Sequence, residues 1–328
     1  MMITRENLEK KQIWIYGIAL LFGGTLGLTN ERVGTSLDWT ISPLIALLMY
    51  VMFAQIPFLK LREALSNFRF MMALLLGNFI AVPIIVWILI MIFPQSPPIL
   101  LGVCLVLLTP CIDYVIVFTQ LGKGNEKLIL ASTPLLFVVQ MIVLPFYLWL
   151  FIGEEMAGIV HIGPFLEAFL LLIVAPLLVA IITQLWAKKK VLGEKFLDLT
   201  TWFPVPFMAL VLIVVVASQI GKVYHDFELI MRVIPIYVLF LLLTPFVSRF
   251  LAYVFKLDIG AGRALIFSTG TRNSLVVLPL ALALPDSWAT LAAAVIVTQT
   301  IVELIGELFY IKAIPLLMKD RTGSGVGM

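Results

Sequence analysis

Charge is scarce in this chain. Only 12% of its 328 residues are Asp, Glu, Lys or Arg, against 62% that are apolar, and mean hydropathy is +1.11. No soluble core hides so much apolar surface. Runs of roughly 17–25 apolar residues recur throughout, the length a membrane-crossing helix needs. Histidine is nearly absent, and His161 and His225 fall near the ends of apolar runs. With no imidazole inside a run, no paired aspartates on one segment and no Asp-Asp-x-x-Asp motif, an intramembrane enzyme is disfavoured. The two cysteines, Cys104 and Cys111, share one run, which excludes a disulfide framework. No Gly-x-x-x-x-Gly-Lys-Ser/Thr loop is present, so ATP does not energise the chain directly. Neither a cofactor, a metal site nor a nucleic-acid partner is expected. The loops are too short for a sensing domain.

What is present is a series of ten apolar spans, near 13–28, 41–59, 70–93, 99–121, 128–152, 162–187, 203–221, 230–255, 263–284 and 287–317. The first resembles the apolar part of a signal peptide but lacks a small-x-small cleavage site, so it is read as a span. All but four of the 22 Lys and Arg lie at one set of span ends; Arg32, Lys222 and Arg232 lie at the other, and Arg272 lies within a span. Positive charge marks the cytoplasmic side, which predicts an inner-membrane protein with both termini in the cytoplasm. Ten spans divide at the acidic stretch Gly153-Glu154-Glu155 into residues 1–155 and 156–328. Five spans per half is odd, so the halves have opposite topology. The fold expected is an all-α polytopic membrane protein of two inverted five-helix repeats.

Two spans are interrupted. The fourth holds Thr109-Pro110-Cys111-Ile112-Asp113, and the ninth holds Ser268-Thr269-Gly270-Thr271-Arg272-Asn273. Pro110 removes a backbone hydrogen bond, and a carboxylate facing lipid costs several kcal/mol. Broken backbone is tolerated in a membrane only where protein or a wet cavity surrounds it. Paired interruptions in two halves point to a transporter's binding site. Aligning Thr109 with Ser268 sets Asp113 against Arg272, as a structural ion pair or a functional one. Pro110 and Gly270 are read as the structural breaks.

On these residues the chain resembles the bile acid:sodium symporter superfamily, and within it the arsenical-resistance permeases. The resemblance covers nearly the whole chain and is most specific at 110–125 and 270–273. It implies ten spans in two inverted repeats, with spans four and nine unwound where they cross. It also implies a substrate path between a core (spans 3–5 and 8–10) and a panel (spans 1–2 and 6–7). Sodium-coupled relatives carry Glu-x-Gly-x-Gln-Asn in span nine, where this chain has Ser268-Thr269-Gly270-Thr271-Arg272-Asn273. Their span-four Ser-Asn pair is Val115-Ile116 here. Losing oxygen ligands and gaining a guanidinium argues against sodium coupling. Cys111 matches the span-four cysteine of arsenite permeases, and Leu121-Gly122-Lys123-Gly124-Asn125 resembles their Leu-x-Lys-Gly-Asp run.

The candidate substrate-binding residues are Thr109, Cys111, Asp113, Ser268, Thr271, Arg272 and Asn273. Cys111 is of a residue type most often met as a small buried hydrophobe, but its sulfur also suits a soft metalloid. Glu303 and Glu307 lie one turn apart on the last span, with Gln299 a turn before. A carboxylate at the depth of Glu303 is costly to hold ionised, which suits proton carriage, as does Asp113. A hydrogen-bonded helix contact accounts for it equally well. Gln55, Asn78 and Gln140 are interhelical hydrogen-bond candidates. The function expected is proton-coupled efflux of an arsenite- or antimonite-like metalloid or a small anion. The alternative is sodium-coupled symport of an organic anion. The partners expected are a small solute and lipid; the residues leave the oligomeric state open.

Overall fold

A computed structural model describes residues 5–56, 58, 67–112, 114–152, 162–223 and 227–319. Asp113, which bore on both site and coupling expectations, lies outside them, as do 153–161, where the sequence predicts that two repeats join. Among the described residues the chain is helical throughout, with no strand. Six helices are long and apolar enough to cross a membrane, or seven if Val191–Thr200 and Pro204–Ile220, bent by 44°, form one span. Large apolar side chains such as Trp14, Trp149 and Phe309 stand exposed on the outside, as on a lipid-bathed surface.

The helices fall into two groups by packing. One holds α1 (Arg5–Thr29), α2 (Glu31–Ser36), α3 (Asp38–Gln55), α8 (162–189), α9 (Val191–Thr200) and α10 (Pro204–Val223). Here α1 lies along α10 with backbones nearly touching. A Cβ on Gly23 would stand 2.7 Å from the Ile213 carbonyl oxygen, and one on Gly27 would stand 2.4 Å from that of Ala217. This small-xxx-small spacing is how membrane helices gain dispersion energy where apolar burial offers none.

The other group begins with α4 (Phe68–Ile92), α5 (Pro97–Leu107), α6 (Val115–Leu121) and α7 (Glu126–Ile152). It ends with α12 (Ile234–Val254), α13 (Ile259–Gly270), α14 (Ser274–Leu282) and α15 (Asp286–Leu317). A short α11 (Phe227–Met231) precedes α12. Within this group α5 packs on α15 and α12 on α13.

Two helices of the second group share a device. Pro83 in α4 has no N–H to return to the Phe79 carbonyl, and the Tyr147 hydroxyl from α7 donates to that oxygen instead. Pro245 in α12 likewise cannot bond to Leu241, whose carbonyl accepts from the Tyr310 hydroxyl of α15. The prolines stand 162 residues apart and the tyrosines 163. Before Pro83 the helix widens into a π-helical turn at Gly77–Ala81, which carries Asn78 inward.

Candidate functional site

The site lies where two helices stop. α5 ends at Leu107, three residues before Pro110, whose ring would clash with the carbonyl of Val106 in a continuing helix. α13 ends at Gly270, and Thr271 is extended. Gly270 is needed there for space: a Cβ would stand 2.5 Å from Cε2 of Tyr310. The two extended segments then pair with each other. Cys111 N–H donates to the Thr271 carbonyl at 3.1 Å, and Asn273 N–H donates to the Thr109 carbonyl at 2.8 Å. Each break thus satisfies backbone groups of the other, which is why two interruptions meet in the interior. The pairing sets Arg272 opposite Pro110, three residues from the Asp113 register expected from the sequence.

Arg272 is fully buried, the largest such residue among those described. Its guanidinium turns back along α13. Nη2 donates to the Ser268 and Thr269 carbonyls at 2.7 and 2.6 Å and to Asn78 Oδ1 at 2.9 Å, while Nη1 reaches the Leu107 carbonyl at 3.3 Å. The Phe240 ring lies 5.5 Å from its central carbon. The cation therefore sits at the C-terminal ends of both α5 and α13, where unpaired carbonyls carry negative charge. Each break also offers the start of the next helix, and the guanidinium turns away from both starts to the carbonyls of the helix ends. Asn78 Nδ2 donates to Ser268 Oγ at 3.1 Å, so Ser268 is bound through its hydroxyl and its carbonyl together.

Beneath the crossing lie the two carboxylates of α15, both buried. Glu303 accepts from the Arg272 backbone N–H at 2.7 Å, from Gln299 Nε2 at 2.6 Å and from the Tyr114 hydroxyl at 2.8 Å. Glu307 Oε1 lies 2.8 Å from the Thr271 hydroxyl, and its Oε2 has no partner. Asn273 Oδ1 caps α14 through Val276 N–H at 3.3 Å, leaving its Nδ2 unpartnered. Thr109 is turned away, donating to the Leu105 carbonyl. Among the described residues no three His, Cys, Asp or Glu converge as a metal site.

A cavity of about 320 Å³ adjoins this cluster, walled by α1, α3, α6, α7 and the start of α10. Met52, Ile112, Ile116, Trp202 and Met208 give it a mainly apolar surface, with Gln12, Gln55 and Thr133 as polar points. A second cavity of about 290 Å³ lies at the opposite end of α3, lined by Ser42, Glu167 and Pro279 among others. A profile of the Sodium Bile acid symporter family matches residues 42–226. The chain belongs to that family. No curated protein matches the chain in sequence. Membership of this family, together with its apolar helices, makes the chain an integral membrane protein and a transporter of a small solute.

The structure brings together Thr109, Pro110, Cys111, Ser268, Gly270, Thr271, Arg272, Asn273 and Glu303 around one crossing. It does not bring the candidate ligands to the cavity of about 320 Å³. Cys111 is fully buried and is not among the residues that line it. The residue that reaches both is Tyr114, which sequence reasoning passed over because an aromatic in an apolar run carries no signal of its own. Gln55 makes its expected contact, reaching Thr200 at 3.4 Å, whereas Gln140 is buried with neither amide atom bonded.

Proposed function

We propose that this member of the family is a secondary active carrier that moves a small organic solute with an apolar body, driven by protons and independent of sodium. The observation that carries the reading is the crossing itself. A resident guanidinium fills the ring of helix-end carbonyls, and a buried carboxylate, Glu303, lies one hydrogen bond from a residue of the cavity wall. Bare carbonyls and an amide oxygen are ligands suited to a hard cation. With Arg272 donating to them, a sodium ion would have to displace a tethered charge, which argues against the sodium-coupled alternative.

The cavity's mainly apolar wall favours an organic solute over a metalloid oxyanion, and the burial of Cys111 removes the thiol that would favour arsenite. Ten spans in two inverted repeats, with the halves meeting between 153 and 161, are supported by the proline–tyrosine pairs and by the Pro110–Arg272 bridge, each recurring at 162 or 163 residues. The helices of the fourth and ninth spans are short because each stops at the crossing. The two packing groups fit a panel and a core, and cavities at opposite ends of α3 fit a path opened alternately to either side. Lysines near the ends that border the larger cavity favour that face as cytoplasmic, in an inner membrane.

The test is uptake into proteoliposomes of a panel of labelled organic acids together with arsenite, under an imposed pH gradient or an imposed sodium gradient. Uptake of an organic acid under the pH gradient alone is expected. A requirement for sodium, or uptake of arsenite only, would overturn the reading.

A further inference from the structure

Tyr114 occupies a place that no other described residue shares. Its hydroxyl lies 2.8 Å from Glu303 Oε1 and 2.9 Å from the Arg272 carbonyl oxygen, while the residue also helps to line the cavity of about 320 Å³. It stands at the start of α6, and it packs edge-on against Phe118 one turn later, ring centres 5.6 Å apart. Phe118 is fully buried. Any change in how the hydroxyl is held is therefore passed to the ring and to the helix that forms a cavity wall.

A phenol has one hydrogen to give, and the two oxygens beside it differ in kind. The carbonyl can only accept. The carboxylate accepts when ionised, and that charge-assisted bond is about twice as strong as a neutral one. Once Glu303 takes up a proton it has a hydrogen of its own to donate to the phenol oxygen, and the tyrosine hydrogen turns to the Arg272 carbonyl. The phenol then exchanges a charged anchor for neutral ones.

We infer that Tyr114 is the joint of the carrier: it holds the cavity wall fast while Glu303 is ionised and releases it when Glu303 is protonated. This rests on the reading that Glu303 carries the coupled proton. The other ionisable groups around Glu303 are Arg272 from the second break, Cys111 from the first, and Glu307 and Tyr310 on its own helix; Asp113 lies outside the described residues. Tyr114 is a positioning residue on this account, acting on the solute through the wall.

The experiment uses the full chain in proteoliposomes with a nitroxide attached at Ile116→Cys, a half-buried position on the cavity wall. Label mobility is read by electron paramagnetic resonance from about pH 5 to about pH 9, a span that brackets carboxylate protonation in buried sites. The mobile-to-immobile ratio should rise about threefold to tenfold on acidification, the range one hydrogen bond is worth. Glu303→Gln should hold the ratio at its acid value. Tyr114→Phe, which keeps the ring but removes the hydroxyl, should give a high ratio that no longer depends on pH. If Tyr114→Phe keeps the full pH response while Glu303→Gln loses it, the joint is elsewhere and the proton reading stands. If Glu303→Gln keeps the response, the proton is carried by another group and the underlying reading fails. A pH-independent ratio in the unmutated wall overturns both. Should Glu303→Gln not fold, Tyr114→Phe alone still decides, since a retained response rejects the joint.

Discussion

The two breaks bond to each other through their backbones but are built differently. In the first, the residue at the bridge is Pro110, which has no N–H and no polar side chain. In the second it is Arg272, which gives its backbone N–H to Glu303 and its guanidinium to Asn78 and three helix-end carbonyls. The helices behind them differ in step. Glu303 on α15 collects three donors, whereas Gln140 on α7, 163 residues earlier, is buried with both amide atoms unbonded. The N–H offered by the second break meets a carboxylate, whereas proline offers none at the first. Among the described residues the charged chemistry at the crossing is therefore gathered around the second break, and the first supplies the complementary backbone.

The strongest way to break this comparison is to exchange the bridge residues for neutral ones. Arg272→Met should lower stability by about 3–5 kcal/mol, because it takes a buried cation from three helix-end carbonyls and the Asn78 amide oxygen, which then lack a donor. Pro110→Ala should cost only about 0.4–1 kcal/mol, the chain-entropy effect of a proline. Thermal unfolding in detergent measures both, and equal losses would refute the asymmetry.

A second contrast concerns α15. Glu303→Gln should abolish transport driven by a pH gradient, while Glu307→Gln, which has a single hydrogen-bonded oxygen to preserve, should retain most of it. The initial rate of pH-driven uptake distinguishes them.

Smaller effects sharpen the likeness of the halves. Tyr147→Phe and Tyr310→Phe each remove the donor to a carbonyl that a proline cannot reach. Each should cost about 1–3 kcal/mol, the penalty for an unsatisfied buried group. Tyr310→Phe should cost more, because its hydroxyl also meets Thr244 at 3.1 Å. The smallest effect is expected at the thiols. Both cysteines are fully buried, so Cys111→Ser and Cys104→Ser should each shift stability by about 1 kcal/mol and leave transport intact. A selective loss of arsenite transport in Cys111→Ser would restore the metalloid reading.

The breaks were legible in the sequence because a proline set among polar residues, and a guanidinium deep in an apolar run, are both costly in a plain spanning helix. Their register was not. Matching Asp113 to Arg272 used charge as the guide, whereas the chain pairs by backbone hydrogen bonds, which sequence does not display. The direction of Arg272 was hidden for a related reason: whether it meets helix starts or helix ends depends on which side of the break its side chain folds toward. Glu303 was visible as a deep carboxylate, but its donors come from three elements. Tyr147 and Tyr310 could not be tied to Pro83 and Pro245, since each repair arrives from another helix. The cavity was invisible, being assembled from five helices, and with it Tyr114.

The most direct test of the account is proton flux in sodium-free proteoliposomes, followed with a trapped pH-sensitive dye as a mixture of organic acids is added outside. Solute-dependent proton movement that persists with choline as the only small cation, and that disappears in Glu303→Gln, is the predicted result. Movement that appears only when sodium is supplied, or that survives Glu303→Gln unchanged, would contradict it.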